Sequence, residues 1–132
     1  MGKARLELTI LPVRLAICRL GPQESVPAWA LGGEFFSITR TAEELSVICD
    51  EGHPSAAAKV ERGYRALRVE GPLPFDAVGI LNSLTAPLAA QGIPVLALST
   101  YDTDYLLVRE DVLARTIRAL AGSFLIRGDP GR

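Results

Sequence analysis

The sequence predicts an α+β chain of two βαββαβ units in tandem, the first of them eroded. Three observations carry that expectation. From Tyr64 onward the strand-like and helix-like patterns follow the order β-α-β-β-α-β. From Arg14 to about Glu70 the same order appears in shortened form. The chain has 132 residues, of which 48% are hydrophobic, enough for two units of about 60 residues, each marginal alone, to bury one another. The expected division is residues 1–62 and 63–132.

Each element follows from local pattern. Leu6, Leu8 and Ile10 alternate with Arg5, Glu7 and Thr9, the period of a half-buried strand, and Pro12 ends it. A second strand, Arg14 to Leu20, follows so closely that the two are expected to form a hairpin, closed by Gly21-Pro22. Pro27 suits the first turn of a short helix over residues 26–31, with Gly32-Gly33 as its stop. Phe35 to Thr39 and Leu45 to Cys49 read as strands. Residues 50–62 are polar or small and form the expected boundary, with room for a helical turn at 56–60.

In the second half, Tyr64 to Glu70 reads as a strand with Arg65 and Arg68 among its apolar residues, and Gly71-Pro72-Leu73-Pro74 turns the chain. Asp76 is the expected N-cap of a helix from about Ala77 to Gln91, stopped by Gly92 and kinked by Pro87, which has no N–H to donate to Ser83. Its apolar positions are Val78, Leu81, Leu84, Leu88 and Ala89. Residues 93–100, nearly all apolar, are expected to form a central strand paired in a hairpin with residues 105–108 across Tyr101-Asp102-Thr103-Asp104. Asp111 is the expected cap of a last helix, 112–121, with Leu113, Thr116, Ile117 and Leu120 on one face. Ser123 to Arg127 adds an edge strand. The order is that of ferredoxin-like folds.

Composition excludes several functions. With 14 Lys+Arg, 15 Asp+Glu and a formal charge of −1, the chain has no field that would steer it to phosphate backbones or anionic membranes, so no nucleic-acid or membrane partner is expected. Apolar stretches such as residues 95–98 fall far short of the roughly 20 residues that cross a bilayer. Glu7 interrupts any signal-peptide core, and a cytoplasmic location is expected. Cys18 and Cys49 are too far apart for a CxxC pair and read as buried free thiols, and His53 as a loop residue. No metal or cofactor is expected. The sequence has no GxxxxGK[ST], GxSxG, HExxH or GxGxxG motif, so an enzyme is not expected.

Residues 71–81 (GPLPFDAVGIL) followed by 88–95 (LAAQGIPV) resemble the glycine-helix-glycine pattern of ACT domains. Together with 35–41 (FFSITRT), 65–69 (RALRV) and 99–105 (STYDTDY), they resemble the small tandem ACT proteins related to CASTOR arginine sensors and aspartate kinase regulatory domains. The resemblance covers nearly the whole chain. It implies a non-catalytic regulatory module with an effector site, usually for an amino acid, at an interface between ACT units. It also implies that Ser99, Thr100 and Asp104 lie near the effector and that Val78, Gly79 and Ile80 form its wall. No kinase domain is attached, so a homodimer or a separate partner enzyme is the expected recipient of any signal.

The residues themselves support such a site. The N-terminus of the helix near Ala77 offers unpaired N–H groups and a positive dipole end for a carboxylate. Gly79 carries no Cβ to block a ligand there. Asp102, Asp104, Ser99 and Thr100, at the end of the expected central strand, supply acceptors for an ammonium group. Gly71 serves the strand-to-helix turn or the ligand. Structural readings stand beside these: Asp102 and Thr103 as ordinary turn residues, Gly79 as a site of close helix–sheet packing, and the whole chain as an assembly module that pairs through residues 123–127 or 6–11 and binds nothing small.

Overall fold

A computed structural model describes residues 6–55, 59–74 and 77–130. The chain divides into two units, one made of residues 6–12 and 65–130 and the other of Val13–Tyr64. The second is thus inserted between the first strand of the other unit and its remainder. The expected division at residue 62 differs chiefly in the placing of residues 6–12, which group with the later half of the chain.

In the larger unit β1 (Leu6–Ile10) lies between two strands distant in sequence. It pairs antiparallel with β5 (Lys59–Val69), Leu8 opposite Val69, and parallel with β8 (Phe124–Arg127), Leu6 opposite Phe124. The hairpin expected between β1 and β2 (Leu15–Leu20) does not form. The connection Leu11-Pro12-Val13-Arg14 lacks the Asn-Gly or Asp-Gly signal of a tight hairpin. Leu8 and Ile10 instead join the core of the larger unit, whereas Ala16, Cys18 and Leu20 join the other core. Being interior, β1 offers no edge to another chain.

The sheet continues from β5 to β7 (Asp104–Arg109) and then to β6 (Leu96–Ser99), which among the described residues pairs only with β7. Residues 93–100 were expected at the centre of the sheet. They form its edge, and Leu96, Ala97 and Ser99 are exposed. An uninterrupted apolar run does not distinguish a central strand from an unprotected edge.

Helix α1 (Ile80–Ala90) starts later than expected and is capped by the Gly79 backbone; Asp76 lies outside the described residues. The helix is continuous through Pro87 and stops at Gly92, whose N–H donates to Ala89 O at 3.0 Å. Of its five expected apolar positions only Leu84 and Leu88 are buried, and Val78 is 94% exposed. Helix α2 (Leu113–Leu120) follows a 3-10 turn, Glu110–Val112, and is capped by Val112, not Asp111. It buries Leu113, Thr116 and Leu120 as its periodicity requires. Both helices pack with Leu67, Val69, Leu106, Val108 and Phe124 into one core. Each fully buried leucine contributes about 1.5–3 kcal/mol.

The inserted unit orders its strands β3 (Ser37–Arg40), β4 (Leu45–Asp50), β2 and the first half of β5, where Cys18 faces Val60. Its core is Ala16, Cys18, Leu20, Ala30, Leu45, Val47 and Cys49. Where the other unit has α1, it has only the 3-10 turn Ala28–Ala30, and no α-helix occurs among its described residues. This is the expected erosion. Residues 56–58 of the expected helical turn lie outside the described residues, while Lys59 and Val60 belong to β5. Cys18 and Cys49 are buried free thiols. Burial, with the neighbouring Cys18, pushes Cys49 up to about 12, so it stays protonated and inert at neutral pH.

Candidate functional site

The larger unit holds a cavity of about 270 Å³ between the loop that enters α1 and the β6–β7 turn. Leu73, Pro74, Ala77 and Ile80 line one side, and residues 99–104 line the other. Two hydrogen bonds fix the turn, one to the loop and one to β5. The N–H of Leu73 donates to Asp102 O at 2.7 Å, and the buried Thr103 hydroxyl donates to Val69 O at 2.6 Å. Within the turn, Thr100 N–H donates to Thr103 O at 2.8 Å, and the Ser99 hydroxyl donates to Asp104 Oδ1 at 2.6 Å. The carboxylate of Asp104 is therefore oriented within the turn, with acceptor capacity left over.

Of the residues expected at a site, Ile80, Ser99, Thr100, Asp102 and Asp104 meet in this cavity. Gly71 lines a second cavity of about 260 Å³ on the other side of the same turn, with Thr100, Asp102 and Thr103 common to both. In that second cavity the Thr9 hydroxyl and the Arg68 guanidinium hold Glu70 below the usual carboxylate range. Val78 lines neither cavity and is almost wholly exposed, so the structure does not make it a wall.

Gly79 also lines neither cavity, and the close helix–sheet packing read from the sequence is not what requires a glycine there. Its φ of +83° is the left-handed conformation that favours glycine, and a Cβ there would meet nothing within 4 Å. Helix packing therefore does not call for the missing side chain. Gly79→Ala is accordingly expected to lower stability by about 1–2 kcal/mol through backbone strain alone. Urea denaturation checks this, with Gly79→Asn expected to cost less.

Leu73, Pro74, Ala77 and Tyr101 were not singled out as site residues. They carry no chemical signal, and only the pairing of the hairpin beside the strand–helix loop brings them in. Thr103 read as a turn residue. Its buried hydroxyl bond to β5 makes it the anchor of the turn.

The fold and cavity define a ferredoxin-like α+β unit with a small pocket where a strand–helix loop meets a hairpin turn, the architecture of a small regulatory domain. A family profile described as an ACT domain matches residues 59–122, and a second, described as an N-terminal domain, matches residues 14–55. Over 109 residues the chain is 38% identical to the bovine (Bos taurus) cytosolic arginine sensor for mTORC1 subunit 1, covering 74% of this chain. It spans about a third (33%) of the length of that relative. A crystal structure of a protein from Agrobacterium tumefaciens superposes with a TM-score of 0.87 at 39% identity, covering 96% of this chain and 97% of the other. The ligand-free regulatory subunit of aspartate kinase from Thermus thermophilus matches with a TM-score of 0.65 at 10% identity, covering 92% and 99%, which shows the shared fold. The chain belongs to the ACT-domain proteins and is related to the CASTOR arginine sensors, and it shares its fold with the regulatory subunits of aspartate kinases.

Proposed function

We propose that the chain is a non-catalytic regulatory module that binds a free amino acid in the cavity of about 270 Å³ beside α1. The observation that supports this most is the convergence, in one small pocket, of the first residue of α1 with Ser99, Thr100, Asp102 and Asp104. The first turn of a helix has N–H groups without intrahelical partners and a positive dipole end, suited to the ligand carboxylate. Asp104, already oriented by Ser99, and Asp102 accept from the ammonium group. The charged lining residues are both acidic, which favours neutral or basic amino acids over acidic ones. The module is cytoplasmic and passes its signal to a second protein, either another copy or a separate enzyme. A second reading, an assembly module without a small ligand, draws on the exposed β6 edge.

Isothermal titration and thermal-shift measurements against the twenty amino acids decide between them. A ligand at 100 times its Kd stabilises by about 2.7 kcal/mol, a shift such assays resolve. No heat and no shift with any amino acid removes the sensor reading. Asp104→Ala is expected to weaken binding by about 10- to 100-fold, the value of a charge-assisted hydrogen bond. Unchanged affinity would leave Asp104 with the sole task of holding Ser99.

A further inference from the structure

The two helices of the larger unit distribute charge unevenly. Helix α1 has no charged side chain, whereas α2 carries Arg115 and Arg118 and no acidic residue. Both arginines are exposed. With Gln91 and Ala119 they line a cavity of about 190 Å³ where the end of α1 meets the flank of α2. Positions 115, 118 and 119 are neighbours on the helix surface, beside the buried Leu113, Thr116 and Leu120. The methyl group of Ala119 is small enough to leave the space between the guanidinium groups open.

Capping of the helix ends uses only part of this charge. Arg115 Nη2 donates to Gln91 O at 2.7 Å, at the C-terminus of α1, and Arg118 lies in the last turn of α2. A helix C-terminus carries about half a negative charge. Two such ends offset about one of the two guanidinium charges and leave about one at the cavity. Among the described residues no carboxylate lines the cavity or pairs with either arginine. Glu110 pairs with Arg65 instead, and Asp111, one turn before Arg115, makes no ion pair with it. In a chain with a formal charge of −1, this is a local cationic excess without a counter-ion in the fold.

We propose that this cavity binds a phosphate group. Arg115 holds the end of α1 with one nitrogen and keeps donors for a ligand, and Arg118 offers its whole fork. A carboxylate presents a single pair of oxygens, which one guanidinium saturates. A tetrahedral phosphate presents a pair to each of two guanidinium groups, and its larger negative charge matches two cations. The site shares no lining residue with the cavity of about 270 Å³. It rests on the two arginines and not on amino-acid binding.

Amide NMR of the full chain tests it, with inorganic phosphate, glycerol phosphate and acetate titrated at constant ionic strength. Both phosphate compounds are expected to give saturable shifts at residues 91 and 115–119, and acetate is not. Tighter binding of glycerol phosphate identifies a phosphorylated metabolite as the source of the group, and equal affinity identifies free phosphate. Arg118→Gln is expected to weaken binding about tenfold or more, the loss of a charge-assisted hydrogen bond. Ala119→Leu is expected to prevent binding by filling the cavity with no change of charge. Arg115 is left intact in both variants because it also caps α1, and unchanged amide shifts across the sheet verify that each variant folds. No saturable shift with either phosphate compound, an equal response to acetate, or an unchanged affinity in either variant overturns the inference. Amino-acid titration of the same samples is a separate readout: a chain that binds phosphate but no amino acid removes the sensor, and one that binds an amino acid but no phosphate removes the arginine site.

Discussion

Arg65→Met is expected to destabilise the chain by roughly 3 kcal/mol or more, the loss of two hydrogen bonds from a charged donor at about 1.5–3 kcal/mol each. Arg65 is only 1% exposed, in the middle of β5. Its Nη2 donates to Leu11 O and Asp129 O, both at 3.2 Å, and its Nη1 lies 3.6 Å from Glu110 Oε1. One guanidinium thereby ties the chain just past β1, β7 and β8 to β5. Methionine fills much of the same volume but leaves the buried carbonyl of Leu11 without this donor. Against a typical total of about 5–15 kcal/mol, that is a large fraction. Arg65→Lys is expected to recover only part of it, because an ammonium lacks the planar fork that reaches separate acceptors. Urea denaturation measures both, and a loss under about 1 kcal/mol for Arg65→Met would show that water replaces the guanidinium at those carbonyls.

Gly71→Ala is expected to damage stability and ligand binding together. A Cβ at residue 71 would lie 2.8 Å from Asp102 O, 3.0 Å from Leu73 N and 3.3 Å from Thr103 Cβ. The two closest atoms are backbone, so no side chain can rotate away, and the 100–103 turn must move off the loop. Such overpacking costs about 1–3 kcal/mol. The displaced turn carries Thr100 and Asp102, so amino-acid affinity is expected to fall at least about tenfold. Gly79→Ala is the contrasting case, strained in its backbone but with open space around it. Calorimetry on the two variants tells them apart: equal affinity losses would mean that the contact between loop and turn has no special part in shaping the pocket.

Much of this was legible in the sequence where local pattern and burial agree. In α2 the face of Leu113, Thr116 and Leu120 was read from spacing and is the buried face. Five expected site residues meet in one cavity because they flank a hairpin turn and a helix start, both of which leave short-range signals. Arg65 was not legible. Among alternating residues of a strand an arginine reads as a solvent-facing position, and only the carbonyls of Leu11 and Asp129, 54 and 64 residues away, explain why it is inside. The same applies to β6, whose apolar run reads as a buried centre.

The sequence by itself determined the element types, the α+β order, the erosion of the first unit and the chemical character of the site residues. These depend on periodicity, caps and turns, which act over a few residues. Only the tertiary structure decided that β1 leaves its neighbour β2 to lie between β5 and β8, that β6 is an edge, and that Gly71 closes on Asp102. Each of these is a pairing between distant segments, set by which apolar faces share a core and which backbone groups find partners. No local pattern records that choice.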